Sequence, residues 1–134
     1  MVVNGVRHVV ATLQLSPEER GINILPLYHL HGFAVNMFAN MASGGSVVCT
    51  PGLGTSPTVF FDWLRDYGVT WYSAVPSLHL AVVQAGERLQ TPAPALRFVR
   101  HCSAALPVSV AERLMRLFSC AVLPTYAMTE CLPI

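Results

Sequence analysis

Apolar residues along this chain fall into short runs of two periods, and glycine, proline or serine marks nearly every change between them. Residues 3–13 carry apolar side chains at helical spacing, and Ser16-Pro17-Glu18-Glu19 then makes a polar turn. Residues 22–25 read as a short strand stopped by Pro26. Residues 32–41 read as a buried helix ended by Ser43-Gly44-Gly45, and residues 46–49 as the next strand. After a turn-rich loop over 51–56, Ser56 is expected to cap a helix with Pro57 in its first position and Phe60, Phe61 and Leu64 turned inward. A β-rich run follows at 70–75, and Pro76 opens a helix reaching Gly86. A proline-bearing connector spans 90–95. The pattern closes with a strand at 97–102, a helix at 107–118 and a strand at 122–126.

Strands that are almost continuously apolar, alternating with helices, predict an α/β fold: a mostly parallel sheet flanked by helices. In such sheets ligands gather beyond the carboxyl ends of the strands. Two predicted strand ends are polar, at residues 27–32 and 126–130. They are the first places to look for chemistry.

Composition narrows the picture. At 53% hydrophobic and 11% charged, the 134 residues must bury a core rather than stay disordered. A net charge of +1 gives no electrostatic case for nucleic acid or an anionic membrane surface. All eight basic residues are arginines, so a phosphate-loop, Schiff-base or general-base lysine must come from elsewhere. Cys49, Cys102, Cys120 and Cys131 have no metal-site spacing and lie in apolar surroundings. They are expected to be buried free thiols, which fits a reducing cytoplasm. No secretory signal is evident, and no stretch reaches the roughly 18 apolar residues of a membrane span. The strongest candidate is interrupted by Asn36 and Asn40.

Three segments could carry chemistry. Tyr126-Ala127-Met128-Thr129-Glu130 offers an aromatic face, a hydroxyl and a carboxylate, which could stack a base, bond a phosphate and hold magnesium. The same residues also make an ordinary strand-end turn. Tyr28-His29-Leu30-His31-Gly32 places two imidazoles between a strand and a helix, without a third metal ligand at fixed spacing. In Arg100-His101-Cys102-Ser103-Ala104-Ala105-Leu106-Pro107, small side chains would let a flat ligand approach the backbone, or simply allow tight packing. His101 and Cys102 are adjacent on a strand and point apart, so they are not read as a nucleophile pair. His8 and His79 are read as surface or packing residues, and Ser43-Gly44-Gly45-Ser46 as a turn.

Taken in order, these segments resemble the AMP-forming acyl-CoA synthetases, closest to the oxalate–CoA ligase-like and coumarate–CoA ligase-like branch. The resemblance rests on Leu25-Pro26-Leu27-Tyr28-His29-Leu30-His31-Gly32, Ala42-Ser43-Gly44-Gly45-Ser46-Val47-Val48 and Thr70-Trp71-Tyr72-Ser73-Ala74-Val75-Pro76-Ser77. It continues through Arg97-Phe98-Val99-Arg100-His101-Cys102-Ser103-Ala104-Ala105-Leu106 and the Tyr126 to Glu130 pentapeptide. It implies that residues 1–134 are part of the large N-terminal AMP-binding domain. It also implies a two-step reaction using ATP, Mg2+ and CoA: a carboxylic acid and ATP form an acyl-adenylate, and the CoA thiol then displaces AMP. By this resemblance Thr129 contacts the phosphate, Glu130 holds magnesium and Tyr126 lies against adenine. Ser103, Ala104 and Ala105 line the nucleotide and acyl pocket, and His29 stands at the acyl-binding cleft.

The departures set further expectations. The family's lysine-bearing phosphate loop, its ribose-binding aspartate and its C-terminal domain with a catalytic lysine have no counterpart here. The isolated chain is therefore expected to bind ATP weakly or not at all and to form no acyl-CoA. A non-catalytic remnant or interaction module of the same fold is the alternative. In the oxalate branch a threonine and histidine are expected soon after the glutamate, where Cys131-Leu132-Pro133-Ile134 stands. Oxalate and other small acids stay open. A peroxisomal address of a longer form would lie beyond Ile134. A self-contained flavodoxin-like domain would need a phosphate loop after its first strand, and residues 26–32 offer one glycine.

Overall fold

Short β-branched and aromatic runs between glycine and proline stops build five strands in the computed structural model, which describes residues 2–54, 57–89 and 92–127. They are β1 (Arg20–Asn23), β2 (Ser46–Cys49), β3 (Trp71–Ala74), β4 (Phe98–His101) and β5 (Ala121–Pro124). Every pairing is parallel, in the order β2-β1-β3-β4-β5. The chain runs outward from β1 to β2, then crosses to β3 on the other side. The crevice at the carboxyl ends of β1 and β3 is thus the point where strand order reverses.

Successive side chains on each strand alternate between the two faces. Trp71 and Phe98 pack with Val6 and Val9 of α1 (Val2–Thr12) and with Ala34 and Val35 of a π-helix (His31–Phe38). The π-helix runs on into α2 (Ala39–Ala42). On the opposite face Tyr72 and Val99 join Phe60, Phe61 and Leu64 of α3 (Val59–Asp66). Val82 and Val83 of α4 (Pro76–Gly86) and Leu114 and Phe118 of α5 (Val108–Phe118) complete that core. All four residues of β3 and of β4 are buried, as a sheet covered on both faces requires.

Local chemistry explains the boundaries. Pro76 takes the first turn of α4, where its missing N–H costs nothing. Ser119 ends α5 in the left-handed conformation at φ 51°. Glycine is required at position 21, because a Cβ there would lie 2.2 Å from the buried Nδ2 of Asn40. That Asn40 is fixed: its Nδ2 donates to the Asn36 carbonyl at 2.6 Å, and its Oδ1 accepts from Trp71 Nε1 at 3.1 Å.

Several expectations need correction. The apolar segment over 32–41 is a π-helix followed by a short α-helix rather than one regular helix. The third helix begins at Val59, two residues after Pro57, and Ser56 lies outside the described residues. Cys49 is exposed because β2 is an edge strand, whereas Cys102 is buried and Cys120 half-buried. All three are free thiols; Cys131 lies outside the described residues. Among the described residues no helix is long and apolar enough to cross a membrane.

Candidate nucleotide and acid site

Two features stand at the carboxyl ends of the strands, on opposite faces of the sheet. The first is a cavity of about 720 Å³ lined by the loop after β4, the start of α5 and the end of β5. Ser103, Ala104, Ala105 and Tyr126, named from the sequence, come together here with Leu106, Val122, Pro124 and Thr125. Ser103 holds a φ of 83°, a left-handed conformation uncommon for a residue with a Cβ, and it turns the loop sharply off the strand. His101 secures that turn by donating from Nε2 to the Ala104 carbonyl at 2.5 Å. Behind it the His79 ring lies 5.5 Å from the His101 ring, and Tyr72 Oη and His79 Nδ1 are 3.0 Å apart.

The second feature is a polar cluster inside the π-helix face. Arg100 Nη1 donates to Ser73 Oγ at 3.1 Å and to His31 Nε2 at 3.2 Å, while His31 Nε2 and Ser73 Oγ are 2.6 Å apart. Asn36 Nδ2 donates to Asn23 Oδ1 at 3.1 Å and to the Ser73 carbonyl at 3.2 Å. The cluster therefore ties the ends of β1, β3 and β4 to the π-helix. A π-turn at this place is consistent with function, since such turns recur at functional sites.

His31, not His29, is the imidazole this geometry draws in. His29 lies on the exposed loop with its ring 5.2 Å from that of Tyr28. Thr129 and Glu130 lie outside the described residues. Among the described residues no three His, Cys, Asp or Glu side chains converge as a metal site. Sequence reasoning assigned no role to Ser73, Asn23, Asn36 or Arg100. The available signal was an arginine inside an otherwise apolar strand, a residue rarely buried without a partner.

Burial, reinforced by the Arg100 charge, lowers the His31 pKa to about 3. Burial and then His101 lower that of His79 to about 4. Both imidazoles are thus neutral at pH 7. Their unfolded counterparts take up protons first as pH falls, so their contribution to stability is full above about 6.5 and is lost toward the folded values. Between pH 7 and 5 the loss is expected to be about 2 kcal/mol per histidine. Urea titrations should show it, and His79→Gln should flatten the slope. An unchanged slope in that variant would remove His79 from the account.

A family model described as AMP-binding enzyme matches residues 1–134. The chain belongs to that family. This AMP-binding enzyme segment is 32% identical over 130 residues to an oxalate–CoA ligase of Arabidopsis thaliana, covering 96% of the chain and 25% of that protein. It is 35% identical over 130 residues to a sulfoacetate–CoA ligase of Cupriavidus necator, covering 97% and 25%. A malonyl-CoA ligase solved with methylmalonyl-CoA and AMP bound has the same fold at a TM-score of 0.83 and 25% identity, over 98% of this chain and 29% of that one. The chain thus spans about a quarter of the length of the curated relatives it matches.

Proposed function

We propose that the chain supplies the adenine- and acid-facing part of an AMP-forming acid–CoA ligase. In that reaction a small carboxylic acid attacks the α-phosphate of ATP to give an acyl-adenylate and pyrophosphate. The CoA thiol then takes the acyl group and releases AMP. The observation that carries this reading is the cavity at the carboxyl ends of β4 and β5, beside the start of α5. Ser103, Ala104 and Ala105 from one strand end and Tyr126 from the other line a single space. The alanine methyls leave room for a flat purine against the backbone, and the Tyr126 ring offers it a face for stacking. His101 keeps the Ala104 carbonyl in place, so the wall is set before the ligand arrives.

By the family resemblance Thr129 contacts the phosphate and Glu130 holds the magnesium ion that offsets phosphate charge. By the same resemblance, formation of the CoA ester also needs lysine-bearing segments, and this chain has no lysine. The named relatives suggest oxalate, sulfoacetate or another small acid as substrate. Filling the cavity tests the reading. Ala105→Trp is expected to weaken AMP binding at least tenfold, about 1.4 kcal/mol, as read by titration of backbone amide shifts. Undiminished binding would place the nucleotide elsewhere.

A further inference from the structure

His79 is fully buried on the first turn of α4, a titratable side chain that the ligase reading leaves without a task. The positive end of a helix is a poor place for an imidazolium, and burial adds to that by lowering its pKa to about 4. The groups that act on it offer no compensating charge. They are Tyr72 and the Ala74 carbonyl on β3, Arg100 and His101 on β4, and His31 on the π-helix. Among the described residues no carboxylate pairs with His79 or His101. The ring is therefore held neutral, with one nitrogen to donate and one to accept.

His101 Nε2 lies 2.5 Å from the Ala104 carbonyl, which only accepts. The hydrogen of the neutral His101 ring is thus on Nε2, and its Nδ1 is an acceptor. That Nδ1 is buried without a hydrogen-bond partner, and so is His79 Nε2. Buried polar atoms in this state are uncommon. The two rings are in contact, with centroids 5.5 Å apart and planes inclined at 56°. On the far side of His79, Tyr72 Oη stands 3.0 Å from Nδ1. Burial keeps the Tyr72 hydroxyl protonated, so its hydrogen is available to that nitrogen. With Tyr72 donating, the His79 hydrogen is on Nε2. A donor on one ring then matches the acceptor on the other.

We propose that His79 is a positioning residue of the nucleotide cavity: with its hydrogen on Nε2 it fixes His101 in the tautomer that holds the Ala104 carbonyl. A small rotation of either ring joins the pair. The donors then run in one direction, from the Tyr72 hydroxyl through His79 and His101 to the loop. Ser103 shows why the loop needs such a hold. Its φ of 83° is costly for a residue with a Cβ and persists only where the surroundings impose it. Without His79 the His101 hydrogen is shared between its two nitrogens. The Ala104 carbonyl then loses its donor part of the time, and the cavity wall loosens. The proposal rests on the ligase reading for its ligand, but the tautomer and the loop are properties of the free chain.

The test uses the full chain with isotope-labelled histidine rings, followed by NMR at pH 7 with and without AMP. In the unaltered chain the His101 ring is expected to carry its hydrogen on Nε2. His79→Leu should bring in the Nδ1–H form of His101 and move the amide shifts of Ser103, Ala104 and Ala105 in the free chain. It should also weaken AMP binding by about threefold or more, the scale of one hydrogen bond. His79→Gln, whose amide still donates, should keep AMP affinity well above that of His79→Leu. Tyr72→Phe removes one hydroxyl from the core and keeps the ring, yet it should alter the same tautomer and the same three amides. That variant decides the matter if His79→Leu does not fold. An unchanged His101 tautomer in the folded variants would overturn the proposal, as would equal AMP affinity of the leucine and glutamine variants. A tautomer and loop that respond as expected, with no AMP shift at Tyr126 even in the unaltered chain, would strike the ligase reading alone.

Discussion

Phe118→Ala is expected to cost the protein about 3–5 kcal/mol, the usual range for removing a buried aromatic ring. Phe118 is fully buried at the last turn of α5. Its ring stacks 6.0 Å from Phe61 at an interplanar angle of 16° and meets Tyr72 edge-on at 5.8 Å. Its carbonyl also accepts from the Leu96 N–H at 3.2 Å, tying α5 to the chain entering β4. The cavity left by alanine opens beneath Tyr72, whose hydroxyl bonds His79 in front of His101. Urea unfolding should show the stability loss, and amide exchange should show faster opening of the loop over 102–105. A loss below about 1 kcal/mol would mean that the core closes around the gap.

Gly21→Ala comes second. The new methyl would sit 2.2 Å from Asn40 Nδ2 and 2.9 Å from its Cγ, so Asn40 must leave its place. Moving it strips the acceptor from Trp71 Nε1 and a donor from the Asn36 carbonyl. Overpacking costs about 1–3 kcal/mol, and an orphaned buried polar group about 1–3 kcal/mol more. A total of roughly 2–5 kcal/mol is expected. Asn40→Ala alone loses the hydrogen bonds without the clash. Combined with Gly21→Ala it should therefore cost at least 1 kcal/mol less than the two single losses added together. Simple additivity in that cycle would show that the contact between these residues is not the cause.

The fold was legible wherever punctuation was chemical. Pro76 and Gly86 bound α4 at the residues expected, and the strand over 46–49 appears unchanged, because both are set by backbone restrictions that any tertiary context must respect. The π-helix was not legible. Gly32 to Met41 is apolar on nearly every side, so its pattern distinguishes neither helix type nor buried face. Asn36 and Asn40, which in sequence merely interrupt that run, turn out to be hydrogen-bonded anchors whose partners lie as far away as Ser73 and Trp71.

The site divides the same way. Small residues after β4 and the tyrosine after β5 stood out in the sequence as a place for a ligand, and they lie together around one cavity. The polar cluster stayed hidden because Asn23, His31, Ser73 and Arg100 come from three strand ends and a helix start, with no spacing in common. Of two histidines two residues apart on a loop, the family resemblance singled out His29. Only the start of the π-helix decides that His31 turns toward Arg100 while His29 remains exposed. Cys49 misled for a related reason: its apolar neighbours imply burial, but an edge strand has one side uncovered.

The most direct measurement is an amide-shift map of the 134-residue chain titrated with AMP at millimolar concentration, a ligand without the phosphates that a lysine-bearing loop would hold. The account predicts saturable shifts at Ser103, Ala104, Ala105, Thr125 and Tyr126, which line the cavity at the carboxyl ends of β4 and β5. Shifts elsewhere, or none at these five, would contradict it.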